Sequence, residues 1–321
     1  MKKIIPAALA LLLLLLPSCT KTAEKTFFAF DTLIGFKIYG QVPDGAEEYV
    51  KALEKVFSKT DPESELYALN GKQSFSPSDT LYGLLTVSLE LSKETGGAFD
   101  ITSGAVTALW DEAAENSKPP EREAIENALS ACGHGKVKAE NGVITKPEET
   151  KFDLGAVAKG YAAELTVNYL KSLGVTSGFM SFGGSIAVIG DKPDGSGYKI
   201  GIRSPDGEGT VGYMVIHKGI VSTSGDYERY FEYEGKRYHH IIDMKTGEPA
   251  NGGVRSCTVV SEDGAVSDAL STALFADPSL LGSLYGKYDF EAVLITSDNK
   301  VITTADAGFV ITANGYSRSD G

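Results

Sequence analysis

Three groups of side chains in this 321-residue chain have the types and spacing to do chemistry. The first is Asp153-Leu154-Gly155-Ala156-Val157-Ala158-Lys159-Gly160, which reads as a turn running into a helix. Ala158, Ala162, Leu165 and Tyr169 then recur at helical period, giving one apolar face, and Gly174 is a stop signal. Lys159 falls in the first turn, where a cation opposes the helix dipole. Backbone N–H groups at a helix start, two glycines that let a ligand approach and a lysine together suit a bound phosphate. The plainer alternative is a solvated lysine on a short helix.

The second group lies in residues 265–277. Val266, Ala269, Leu270, Ala273 and Leu274 form an apolar stripe, and Ser267, Asp268, Ser271 and Thr272 lie opposite. A solvated face normally carries Lys or Glu, whereas this one holds a single carboxylate among small hydroxyls. Asp268 and Thr272 are one turn apart, and two oxygen ligands at that spacing suit a hard cation such as Mg2+, with water and substrate phosphate completing its shell. Alternatively, Asp268 complements the N-terminus of its own helix.

The third group is Ser222-Thr223-Ser224-Gly225-Asp226-Tyr227 with Tyr238-His239-His240-Ile241-Ile242-Asp243-Met244-Lys245-Thr246-Gly247. In a strand, adjacent histidines face opposite sides, so one can enter a cleft while the other points outward; the alternative is a structural histidine. Gly183-Gly184, read inside a strand, marks backbone held close to a ligand or to another segment.

These residues need elements to hold them. Residues 27–39 read as a first strand, and 46–59 as a helix with Tyr49, Leu53, Val56 and Phe57 on one face. Pro77-Ser78-Asp79 opens another helix, which stops at Gly96-Gly97, and 121–132 is helical again. Residues 117–120 are the candidate linker. Beyond the lysine-bearing helix, 180–189, 198–203, 213–216, 227–233, 237–242, 256–260, 292–296 and 308–311 read as strands parted by Gly, Asp, Asn and Pro turns. Glu234-Gly235 marks a hairpin. The expected fold is α+β and two-lobed, with a mostly antiparallel sheet in the C-terminal half and flanking helices.

The N-terminus reads as a sorting signal: Lys2 and Lys3, an apolar run over 4–16, then Leu16-Pro17-Ser18-Cys19. The run is too short to span a membrane, and a plain secretory signal is the rival reading. The small residue before Cys19 resembles a bacterial lipobox, which implies cleavage before Cys19 and its lipidation. Residues 1–18 are then signal peptide, 19–26 a tether and 27–321 one catalytic domain. Removing 1–18 takes away two lysines and no acid, so the whole-chain net charge of −13 becomes −15. Such a surface excludes nucleic acid as a partner and leaves membrane attachment to the lipid. Cys132 and Cys257 could pair or stay separate buried thiols. The four histidines show no HxxxH and there is no CxxC, so a zinc site has no support.

The motifs of the three groups stand in an order and spacing that resemble the ApbE family, the FAD:protein FMN transferases of bacterial envelopes. Ser64…Asn70 and Gly97-Ala98-Phe99-Asp100…Trp110 match that family as well. The resemblance implies an enzyme that uses FAD and Mg2+, moves FMN onto a Thr or Ser hydroxyl of an envelope electron-transfer protein, and releases AMP. It puts the metal ligands on the Ala156 carbonyl, Asp268 and Thr272, and nucleotide contacts on Ala98, Phe99, Asp100, Asp153 and Lys159. His240 matches a histidine proposed to assist proton removal, with the aromatic rings of Phe99, Tyr161 and Tyr227 available for stacking. It also implies a periplasm-facing lipoprotein, on the inner membrane. An FAD pyrophosphatase and a non-catalytic FAD-binding lipoprotein are the other readings. The chain departs from the family at Phe30-Asp31, where Met-Gly is usual, at Ser181 and Ser185, and at Met244; none of these belongs to the metal set.

Overall fold

A computed structural model of the chain describes residues 21–319, so the signal peptide read over 1–18 and the lipidation site at Cys19 lie outside the described residues. The chain opens with β1 (Thr22–Ala29) and β2 (Thr32–Tyr39), followed by α1 (Ala46–Phe57), α2 (Glu65–Asn70) and β3 (Ser74–Phe75). Next come α3 (Asp79–Glu94), α4 (Gly104–Asn116), α5 (Arg122–Ala131), β4 (Lys138–Glu140), β5 (Val143–Thr145) and α6 (Ala158–Ser172). Strands follow as β6 (Gly178–Phe182), β7 (Ser185–Gly190), β8 (Tyr198–Arg203), β9 (Thr210–Ile216) and β10 (Gly219–Gly225). Then come β11 (Tyr230–Tyr233), β12 (Lys236–His239), β13 (Ile242–Asp243), β14 (Glu248–Pro249) and β15 (Val254–Ser261). The last elements are α7 (Gly264–Ala276), α8 (Leu281–Tyr285), β16 (Glu291–Thr296), β17 (Lys300–Thr303), β18 (Val310–Ile311) and β19 (Ser317–Arg318).

Nine strands form the main sheet, in the order β1-β2-β6-β7-β10-β15-β16-β17-β19. All its pairings are antiparallel except β17 with β19. Successive side chains face opposite sides, and the two faces have different cover. Met180, Ala292 and Leu294 join Val50 of α1, Leu84 of α3, Leu170 of α6 and Leu270 of α7 in the main core, which draws on both halves of the chain. Their neighbours Phe179, Val293 and Ile295 pack instead with Val211 and Met214 of the small β18-β9-β8 sheet. A third, smaller core joins Val106, Trp110 and Ile125 of α4 and α5 to Phe231 and Tyr238 of the β11–β12 ribbon. Among the described residues no helix is long and apolar enough to cross a membrane.

Several expectations are corrected. Residues 27–39 are not one strand but a hairpin whose tip, Phe30 and Asp31, has φ of 54° and 55°. Those left-handed values fit the right-handed twist of a two-residue connection, and apolar residues on both sides of the tip hide the reversal in the sequence. Most of the expected tether is strand too, since Thr22 pairs with Tyr39. Its charges conceal this: Glu24 pairs with Lys37 and Lys25 with Glu47, as suits an edge strand. Residues 180–189 are likewise two strands, turning at Gly183-Gly184. A Cβ on Gly183 would lie 2.9 Å from Thr32 Oγ1, so the close approach is to another chain segment. The sheet is not confined to the C-terminal half, since β1 and β2 join it through β6. β10, rich in glycine and hydroxyls, was not among the expected strands, yet it lies in the middle of the sheet. Residues 117–120 join α4 and α5, which share one core, and so form a helix–helix turn. Cys132 and Cys257 are separate buried thiols.

Candidate active site

The lysine-bearing turn is built locally. Gly155 N–H donates to Asp153 Oδ1 at 2.8 Å, and the Val157 and Ala158 N–H groups both donate to the Leu154 carbonyl. Lys159 stands in the first turn of α6, as expected, and its ammonium donates to the Gly155 carbonyl at 3.3 Å. Gly160 N–H, which a regular helix would give to the Ala156 carbonyl, goes instead to Asp268 Oδ2 of α7, at 2.8 Å. Among the described residues the Ala156 carbonyl receives no hydrogen bond. The crossing requires glycine: a Cβ at Gly160 would sit 2.2 Å from the Gly264 carbonyl oxygen and 2.8 Å from Asp268 Cβ.

Asp268 is 8% exposed. The N-cap of α7 is Asp263, which accepts the Val266 N–H at 2.9 Å, so Asp268 serves the neighbouring helix and not its own. Ser185 Oγ donates to Asp268 Oδ1 at 3.3 Å, and Ser222 Oγ to Ser185 Oγ at 3.2 Å. Ser185, expected to stand apart from the metal set, therefore steadies it. One turn on, the Thr272 hydroxyl lies 3.1 Å from Ser224 Oγ, which also meets Ser271 Oγ at 2.8 Å. α7 is buried almost all round, so the expected split into an apolar stripe and an open polar face does not hold. Ser267 shows why: its hydroxyl bonds the carbonyls of Ile220 and Val259, at 3.0 and 2.9 Å.

A carboxylate offers about four acceptor positions, and Asp268 has two filled. A carboxylate, a hydroxyl one turn away and an unbonded carbonyl at the adjoining helix start are all oxygen donors, which fit a hard cation such as Mg2+. Among the described residues no three His, Cys, Asp or Glu side chains gather into a group that could hold a metal ion, so this donor set has a single carboxylate.

The two histidines divide their roles. His239 ends β12 with Nε2 3.0 Å from the Ala250 carbonyl, Nδ1 accepting from Ile241 N–H at 3.3 Å, and its ring against Phe275 of α7. Both nitrogens are used by the scaffold. His240 sits at the bend before β13, not within a continuous strand over 237–242. Its Nδ1 lies 3.2 Å from the Arg229 carbonyl. An Nδ1–H donating there leaves Nε2 with its lone pair free to accept a proton. Burial, with the positive charges of Arg229 and Lys159, lowers its pKa to about 3, so the ring is neutral near pH 7. Asp268, Thr272 and Phe275 make α7 the common spine of the candidate oxygen donors and the histidine segment.

The expected nucleotide contacts gather in a second patch. Residues 101–104 run beside 151–153, with Asp153 N–H on the Ile101 carbonyl at 2.8 Å and Gly104 N–H on the Lys151 carbonyl at 3.0 Å. Asn70 grips Phe152 from both sides, accepting its N–H at 2.7 Å and donating to its carbonyl at 2.9 Å. Burial opposes ionisation of Asp153, but the Lys59 ammonium at 2.7 Å and the Thr107 hydroxyl at 2.6 Å hold its pKa below the usual range. Asp100 accepts from Thr102 N–H and Oγ1 and from His134 N–H and Nδ1, so its carboxylate is taken up by its own loop and by the turn after α5. Phe99 is 3% exposed and Ala98 is buried, which leaves no Phe99 ring face for stacking and any contact there to the backbone. Tyr161 packs edge-on against Phe57, and Tyr227 lies under Arg203 with its hydroxyl 3.3 Å from Ser256 Oγ.

The profile of the ApbE family matches residues 30–282. This chain belongs to the ApbE family. It is 34% identical over 275 residues to a protein of Treponema pallidum named FAD:protein FMN transferase, a match covering 76% of this chain and 75% of that protein. A protein of the same name from Vibrio cholerae is 33% identical over 283 residues, covering 82% and 84%. The ApbE protein of Thermotoga maritima superposes with a TM-score of 0.81 at 32% identity, covering 88% of this chain and 96% of that one. The flavinyl transferase ApbE of Pseudomonas stutzeri gives 0.74 at 26% identity, covering 91% and 94%.

Around this ApbE-family site, Lys59 and Thr107 were not legible in the sequence as supporting side chains, and Ser185 stands out there only as a departure from the family pattern. Lys59 lies 94 positions from Asp153, and Ser185 83 from Asp268; no local period links them. The only available signal was the run of small hydroxyl residues from 222 to 224.

Proposed function

We propose that the protein transfers FMN from FAD to a Thr or Ser hydroxyl of an envelope redox protein, releasing AMP. What supports this reading is α7, where Asp268 meets Gly160 at the start of α6, one residue from Lys159, Thr272 stands one turn on against Ser224, and Phe275 packs on His239 beside a neutral His240. The Ala156 carbonyl, Asp268 and Thr272 would hold Mg2+, which when bound neutralises charge on the FAD pyrophosphate. Lys159 binds the same pyrophosphate from the protein side. His240 Nε2 takes the proton of the acceptor hydroxyl as its oxygen bonds to the FMN-side phosphorus. The bond from that phosphorus to the bridging oxygen breaks, and AMP leaves with the oxygen. The chain does this in the cell envelope, held to the inner membrane through lipid on Cys19 and facing the periplasm. Cys19→Ser should accordingly leave an uncleaved precursor without lipid label, and normal processing of that variant would refute the anchor.

Incubation with FAD, Mg2+ and an envelope redox protein tests the transfer. The intact mass of the acceptor should rise by one FMN, with AMP formed in equal amount. AMP and free FMN beside an unmodified acceptor would show hydrolysis instead.

A further inference from the structure

α6 and α7 carry one spacing twice: Gly160 with Glu164, and Gly264 with Asp268. Gly160 N–H donates to Asp268 Oδ2 at 2.8 Å, and Gly264 N–H donates to Glu164 Oε2, also at 2.8 Å. Each helix thus gives a first-turn N–H, which has no partner of its own, to a carboxylate on the other. Each anion also sits at the positive end of the opposite dipole. The backbones touch between these bonds: a Cβ on Gly160 would lie 2.2 Å from the Gly264 carbonyl oxygen, and one on Gly264 2.1 Å from that of Gly160.

The exchange is not needed to cap α7, because Asp263 already accepts the Val266 N–H. Glu164 brings a second acid to that helix start, against the cost of burying it beside Asp263. Its bond fixes where α7 begins against α6, one turn ahead of Asp268. We propose that Glu164 is the positioning residue of the site: by holding Gly264 it sets Asp268 at the start of α6, in the orientation that metal binding needs. This rests on the metal role of Asp268 given above.

The test compares Glu164→Ala, Glu164→Gln and Glu164→Asp with the wild type. Two quantities are read: amide hydrogen exchange at Gly160, and the Mg2+ concentration giving half-maximal AMP release, with the rate at saturating Mg2+. Glu164→Ala should expose Gly160 to exchange and raise the Mg2+ requirement about tenfold or more, with the saturated rate nearly kept. Glu164→Gln, which can still accept from Gly264, should restore both to near wild-type values. If Glu164→Ala does not fold, Glu164→Asp, one methylene too short, should show the same shift in smaller degree. A folded Glu164→Ala or Glu164→Asp that keeps Gly160 protection and the wild-type Mg2+ requirement overturns the proposal. So does a loss of melting temperature with no change in either quantity. A wild type indifferent to Mg2+ would defeat the functional reading, whereas Gly160 exposure in Glu164→Ala would still uphold the clasp.

Discussion

Where α6 meets α7, two glycines bring the backbones into contact and the carboxylate introduced there finds two donors. Where His240 sits, the scaffold is slight: a two-stranded ribbon, β11–β12, then β13 and β14 of two residues each, all outside the main sheet. That ribbon is braced from behind. Tyr238 stacks on Phe231 and on Trp110, with centroids 5.2 and 5.8 Å apart, and Trp110 Nε1–H donates to the Gly247 carbonyl at 2.7 Å. Its outer side presents Arg229 and Tyr230 to solvent. Under the proposed function the difference follows from two tasks. Donors for a cation and a pyrophosphate act best when fixed beforehand in a dry, packed place. On the proposed function, a base that must meet a hydroxyl on a second protein has to be reachable, so His240 is half-buried at the end of a ribbon steadied from one side.

The comparison breaks first at Asp268. Asp268→Ala removes the junction's anion and leaves Gly160 N–H buried without a partner. AMP release should fall below detection, and unfolding in denaturant should show a loss of about 1–3 kcal/mol. Near-normal release at modest Mg2+ would take the junction out of the chemistry. On the ribbon side, His240→Ala should slow single-turnover transfer by about 10²–10⁴-fold while leaving FAD affinity nearly unchanged. Equal losses in rate and affinity would make the ribbon a binding element.

Lys159, at the start of α6, has the smallest expected effect. Lys159→Ala should weaken FAD by about 1.5–3 kcal/mol in a fluorescence titration, and riboflavin, which lacks phosphate, much less. Because the Lys159 charge helps depress His240, its loss should move the His240 titration upward, as followed by proton NMR. The sign for stability is set by the same shift: the folded chain refuses a proton that the unfolded chain accepts. His240 therefore withdraws stability as pH falls from its ordinary 6.5 towards about 3. An unchanged titration in Lys159→Ala would separate the two regions.

Much of this was legible in the residues. Ser78 caps α3 and Glu234-Gly235 turns the β11–β12 hairpin because capping and tight turns depend on residues close in sequence. The helical start at Lys159 and the one-turn spacing of Asp268 and Thr272 were local in the same way. Phe30-Asp31 failed as a turn signal because neither is glycine, and β10 was hidden because the hydroxyl residues that face α7 look like a loop.

What the sequence by itself determined is the set of chemical groups and the local elements that carry them, since helical and strand periods act over a few residues. Only the tertiary structure decided which carboxylate serves which helix: Gly160 takes an acid 108 positions away and Gly264 one 100 positions away. The physical reason is that an unpaired first-turn N–H specifies no sequence distance. It is met by whichever acceptor the packing brings, and here the glycine crossing of α6 and α7 makes that choice.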